Sequence, residues 1–272
     1  MQADQRLLEG QVALVTGAGR GLGRAFAATL ARLGCSVCLH GMREHGPAEF
    51  GEGTTLTETA REVGAQYNVA THPVLGDLTQ MDHVERVVGT VVDHLGPIDI
   101  LVHNAGGDIA AAGGKPEPND AVFIPEIDVR AMIDRNLLAT VFVCQVVARQ
   151  MMQRRRGRIV TISSIGAYGG RPDGVIYAAA KAGAIQYTRG LAAQLRPYNV
   201  TANSIAPGGT RTARFLATRE VDSARLVEGG TLERVALVDE VARAVEVFAG
   251  PTGDFITGQV LRVDGGSQCW PA

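Results

Sequence analysis

QVALVTGAGRGLG, residues 11 to 23, is a six-residue apolar strand pattern that runs straight into Gly17, Gly19, Gly21 and Gly23. Glycines let a chain turn tightly there and let a bulky anion approach the backbone. A helical pattern opens at once over 21 to 33, so the unpaired N–H groups of its first turn face the same place. Strand, glycine turn and helix in that order form a cradle suited to phosphate. The spacing is G-x-x-x-G-x-G, with Arg20 and Leu22 between glycines, and not the stricter G-x-G-x-x-G; such turns also occur as plain joints between strand and helix. No G-x-x-x-x-G-K-[ST] run occurs, which argues against a nucleoside triphosphatase.

Working outward, the same alternation repeats. The further strand patterns are CSVCLH (35 to 40), VATHPVL (69 to 75), IDILVHN (98 to 104), GRIVTISS (157 to 164), NVTANSIAP (199 to 207) and QVLRVD (259 to 264). Helical patterns fall at 55 to 64, 80 to 95, 129 to 153, 175 to 196 and 237 to 249. Strands joined by helices require crossover connections. The reading is therefore an α/β, Rossmann-type doubly wound parallel sheet with helices on both faces and its ligand beyond the carboxyl ends of the strands.

The 272 residues fit one domain, because no linker-like composition divides them. Residues 1 to 10 form an N-terminal extension, 107 to 128 a long loop, and 211 to 230, with helical patches bounded by glycine, a candidate substrate lid. A net charge of -2 with 20% charged residues gives no general attraction to nucleic acid or membrane. The amino terminus lacks a signal-peptide pattern, and no uninterrupted apolar stretch nears the roughly 20 residues that span a bilayer, so a cytoplasmic protein is expected. Cys35 and Cys38 form a C-x-x-C, but strand alternation sends them to opposite faces, and no metal site is expected. Arg154, Arg155 and Arg156 read as the cationic end of a helix and not as a nucleic-acid patch.

The chemistry-bearing residues cluster at the predicted strand ends. Tyr177 and Lys181 are four apart, one helical turn on a shared face, where an ammonium favours ionisation of a phenol; such pairs are also common on solvated faces. Ser164 lies thirteen residues before the tyrosine, at the end of the fifth strand, and is placed to donate to a substrate oxygen. No G-x-S-x-G elbow surrounds it, against a serine nucleophile. Asn136 is an amide inside an apolar helix, either a structural pin or a working group. Asp77 and Leu78, then Asn104, Ala105 and Gly106, suit adenine and ribose, or serve only as turns. Pro207, Gly208, Thr210 and Thr212 offer backbone and hydroxyls to a carboxamide and a phosphate, or again only a turn. The second strand ends in His40-Gly41-Met42-Arg43 without the carboxylate that would hold an NAD ribose. Arg20 and Arg43 offer a 2'-phosphate two guanidiniums, which favours NADP(H) and leaves NAD(H) possible if Arg43 is only a solvated loop residue.

Taken together, TGAGRGLG, Asp77, Asn104-Ala105-Gly106, Asn136, Ser164, Tyr177-x-x-x-Lys181 and Pro207-Gly208 fall in one order that resembles the short-chain dehydrogenase/reductase family over nearly the whole chain. The resemblance implies a carbonyl/alcohol oxidoreductase with Tyr177 as acid/base, Lys181 as its pKa modulator and ribose ligand, Ser164 as polarising donor, and Asn136 holding a water of a proton relay. It also implies a small-molecule carbonyl or alcohol substrate and a homo-oligomer, a tetramer in the family. The alternatives are an NAD-dependent alcohol dehydrogenase of the sugar or polyol type, a lyase or epimerase using the same tyrosine, and a nucleotide-binding sensor without turnover. Two departures stand out: His103 replaces the first asparagine of the usual N-N-A-G, and the 107 to 128 segment is long.

Overall fold

The computed structural model describes residues 6–269. Residues 1 to 5 of the predicted extension lie outside them, while Leu8 is buried and its N–H donates to Leu33 O at 2.9 Å. Seven strands, β1 (Val12–Thr16), β2 (Ser36–Gly41), β3 (Thr71–Leu75), β4 (Ile100–His103), β5 (Gly157–Ile162), β6 (Val200–Pro207) and β7 (Val260–Val263), form one sheet in the order β3-β2-β1-β4-β5-β6-β7. All six pairings are parallel. The order reverses between β1 and β4, where Thr16 sits beside His103. That reversal opens the crevice in which doubly wound sheets bind ligands.

The helices are α1 (Gly21–Arg32), α2 (Leu56–Tyr67), α3 (Met81–Leu95), α4 (Glu126–Ile133), α5 (Ala139–Arg154), α6 (Val175–Leu195), α7 (Ala213–Ala217), α8 (Val238–Ala242) and α9 (Ala244–Ala249). Strand side chains alternate between two cores. Ala13, Val15, Val37 and Leu39 meet Phe26 and Leu30 of α1, Leu56 of α2, and Val245 and Phe248 of α9. Leu14, Cys38, Leu101 and Ile159 meet Val87 and Val91 of α3, Val143, Val147 and Met151 of α5, and Leu195 of α6. Cys35 lies in the first core and Cys38 in the second, as strand alternation requires.

The predicted helix over 129 to 153 is longer and less regular than its pattern. It runs from Glu126 to Arg154 and is the only described helix long and apolar enough to cross a bilayer, yet Val143, Cys144, Val147 and Met151 bury against the sheet. Its middle, Asp134–Leu138, is a π-turn that joins α4 to α5. At its far end, Arg154 and Arg156 lie 2.8 and 3.0 Å from the buried Asp99 carboxylate, which also accepts from Val12 N. Arg155 caps α5 in the left-handed region at φ 53°. The arginine run ties the helix end to the start of β1.

Candidate active site

Two turns face each other across the β1/β4 reversal and are bonded through Thr16. Its Oγ1 accepts from Asn104 N at 3.0 Å and Ala105 N at 3.1 Å, so its own proton is left for His103 Nδ1 at 3.1 Å. Asn104 Nδ2 donates to Gly17 O at 3.2 Å, and a Cβ at Gly23 would collide with that carbonyl. Gly17 N donates to His40 Nδ1, whose Nε2 reaches Gly76 O at 3.0 Å. Burial pulls His40 down to about 4 and His103 to about 3, so both imidazoles are neutral at neutral pH.

At the adenosine end the 43 to 54 segment folds over the glycine turn. Arg20 and Arg43 both bond Glu49, at 3.0 and 3.2 Å, and Arg20 stacks over Phe50. Sequence reasoning offered these guanidiniums to a phosphate and did not see the carboxylate between them. Glu52 Oε2 accepts from Gly21 N at 2.6 Å, placing a negative charge on the amino terminus of α1. The carboxylates show that this turn holds anions, so the residues present fit the phosphates of a dinucleotide. Asp77 Oδ1 accepts from the N–H and hydroxyl of Thr79, which makes it a turn former that also lines the cleft.

At the other end stand Ser164, Tyr177 and Lys181. Ser164 accepts from Gly166 N at 3.1 Å and lines the cleft with the half-buried Tyr177, whose ionised form it favours. Lys181 Nζ donates to Ile162 O at 2.9 Å and lies 5.8 Å from the Tyr177 ring centre. Burial raises the phenol above its usual value and pulls the lysine down to about 8, so the ammonium is lost before the phenol ionises. The expected lowering of Tyr177 by Lys181 is therefore not what the protein alone provides. The cations that do oppose the rise are Arg219 and Arg214.

Asn136 stands behind the cleft in the π-turn, fully buried. Its Nδ2 donates to Gly107 O at 3.0 Å and to Met132 O at 2.9 Å, and its Oδ1 accepts from Gly107 N at 2.8 Å. Both amide protons are used within the protein, which gives the side chain a pinning role. Gly106 must be glycine here: its φ is 134°, and a Cβ would lie 2.6 Å from Asn136 Oδ1.

A cleft of about 840 Å³ joins the two ends, and of the candidate catalytic and cofactor-binding residues all but Gly23 and Asn136 line it. Residues 107 to 115 form one wall, with Ile109 and Ala110 carbonyls held by Arg135 and Ala111 N held by Asp128. Sequence reasoning missed Glu49, Glu52, Arg214 and Arg219, since charge within a loop does not reveal its direction. The sequence profile of the short chain dehydrogenase family matches residues 11–222.

The chain belongs to the short chain dehydrogenase family.

As such it is an NAD(P)(H)-dependent oxidoreductase acting between alcohols and carbonyls. A cyclohexanol dehydrogenase of Rhodococcus sp. (strain TK6) is 34% identical over 275 residues, covering 97% of this chain and 98% of that one. Among solved structures, a 7α-hydroxysteroid dehydrogenase complexed with NADH and 7-oxo glycochenodeoxycholic acid superposes with a TM-score of 0.82 at 27% identity, over 98% of this chain and 97% of that one. An NADPH-dependent 3-quinuclidinone reductase from Rhodotorula rubra gives 0.81 at 25% identity, over 98% and 94%. Both nicotinamide cofactors occur among the structural neighbours of this short chain dehydrogenase.

Proposed function

We propose that this dehydrogenase interconverts a ketone or aldehyde and its alcohol in a single 272-residue domain, using NADP(H) in preference to NAD(H). The observation that carries the reading is that Ser164 and Tyr177 line one cleft beside the buried Lys181, whose Nζ is held by Ile162 O. The nicotinamide, when bound, supplies or accepts the hydride. Ser164 and Tyr177 hold the substrate oxygen, and Tyr177 gives it a proton in reduction or takes one in oxidation. Lys181, fixed by Ile162 O and 5.8 Å from the Tyr177 ring centre, would hold the nicotinamide ribose when the cofactor is bound. Asn136 keeps the Gly106–Gly107 wall in place.

The cofactor preference rests on Arg20 and Arg43 converging on one acidic group. Glu49 is half exposed, and ion pairs of that kind are worth about 0–1 kcal/mol, so a doubly charged 2'-phosphate can displace it. Following absorbance at the reduced-nicotinamide band, with both cofactors and a panel of carbonyls and alcohols, tests the activity. Silence across the panel would refute it, and interconversion without net cofactor change would favour an epimerase. Glu49→Gln tests the preference: it should lower KM for NADP(H) more than for NAD(H). A selective loss with NAD(H) would instead make Glu49 a ribose ligand.

A further inference from the structure

The short helix α7 and the residues after it bring two guanidiniums to the reactive end of the cleft. Arg214 is half-buried; its Nη2 donates to the Asp108 carbonyl at 2.8 Å, and a Cβ on Gly107 would lie 2.6 Å from its Nη1. Arg219, five residues on, is exposed and stacks against Phe215 at 5.0 Å. Both line the cleft with Ser164 and Tyr177, and both bias the Tyr177 hydroxyl towards its ionised form.

Neither has a carboxylate within ion-pair distance among the described residues. That sets them apart from Arg20, Arg24, Arg43, Arg154, Arg158 and Arg234, each of which has one. The nearest acid, Asp108, turns its carboxylate to Asn119 Nδ2, with both oxygens at 3.1 Å. Lys115 and Asp173, on the rim of the adjoining hollow, lie 3.8 Å apart and offset each other. Asp108 opposes the charge of Arg214 only from beyond ion-pair distance; a half-buried cation without a direct partner is costly to keep, and a bound anion lowers that cost. Arg20 lies near enough to Arg214 to repel it, so the phosphates of the cofactor are the competing source of the anion.

Resting on the carbonyl/alcohol reading above, we propose that Arg214, assisted by Arg219, is a specificity-determining residue that selects substrates carrying a carboxylate or phosphate monoester within a few bonds of the reacting carbon. The anion takes charge-assisted hydrogen bonds from Arg214 while Ser164 and Tyr177 hold the carbonyl oxygen. A neutral substrate leaves the guanidinium unpaired.

The test compares matched pairs: 4-oxocyclohexanecarboxylate with its methyl ester, 4-oxopentanoate with its methyl ester, and hydroxyacetone phosphate with hydroxyacetone. The anionic member of at least one pair should show a kcat/KM about ten- to a hundredfold higher. Arg214→Gln should collapse that ratio to near one chiefly through KM, and Arg214→Lys should restore part of it. The carboxylate pairs and the phosphate pair separate the two sources of anion. Cofactor affinity is measured alongside by calorimetric titration without substrate. Equal or better turnover of every neutral member overturns the proposal while leaving the carbonyl/alcohol reading intact. So does a loss of cofactor affinity in Arg214→Gln that matches the loss on the anion, because Arg214 would then belong to the cofactor. Failure of all six compounds together with every neutral carbonyl would instead sink the reading on which the proposal rests.

Discussion

Tyr177 lines the cleft with Ser164, and desolvation opposes its ionisation. Tyr177→Phe keeps the ring and removes the proton, so turnover should fall about 10²- to 10⁴-fold while cofactor affinity stays close to wild type. Rapid kinetics together with a cofactor titration check both halves, and near-normal turnover would end the acid/base assignment. The same scale sets the acid limit of the fold. His40 and His103 titrate near 4 and 3 in the folded chain against 6.5 when free. Between those values the unfolded chain binds protons that the native state does not, so stability should fall as pH drops from about 6.5 towards 4. Urea midpoints at about pH 7 and about pH 4.5 measure this, and His103→Asn should make the decline shallower. A flat profile would show that neither ring is held neutral.

The π-turn Asp134–Leu138 and the loop after Gly106 form one mechanical unit through Asn136. Asn136→Ala removes three hydrogen bonds at a buried site, and leaving the Gly107 and Met132 groups unpaired should cost about 1–3 kcal/mol per group. The expected signature is a lowered melting temperature with a raised substrate KM, because residues 107 to 115 wall the cleft. If stability is unchanged and kcat alone falls, with an altered solvent isotope effect, the water-relay role implied by family resemblance is the better account. The periodicity of 129 to 153 promised a plain α-helix. The widened turn within it was not legible, since it arises where the Asn136 side chain bonds a carbonyl one turn back and a loop beside it.

At the scale of the molecule, Val122, Phe123 and Ile127 stand 77%, 76% and 66% exposed where the long loop enters α4, and Leu138 stands 37% exposed further along the same helix run. The homo-oligomer that the family resemblance implies would cover such a surface. Sedimentation at low micromolar concentration should give a multiple of 28.6 kDa, and aspartate at both Val122 and Phe123 should shift it towards the monomer. A clean single-chain mass for the wild type would exclude the assembly. The long loop thus has two parts: its first half walls the cleft, and its second half presents this apolar edge.

The sheet and its crossing helices could be read from the chain because buried parallel strands impose continuous apolar runs, as in VALVT, and each crossover helix repeats its own period. The glycine turn was legible for the same local reason: Gly23 packs against Gly17 within seven residues. Direction across the cleft was decided only by tertiary structure. Glu49 comes to lie between Arg20 and Arg43, Glu52 reaches Gly21, and Arg214 reaches the Asp108 carbonyl from 106 residues away. Periodicity records which side of an element meets the core. It carries no record of which loop charges meet across a cleft, because that depends on where strands distant in sequence end side by side.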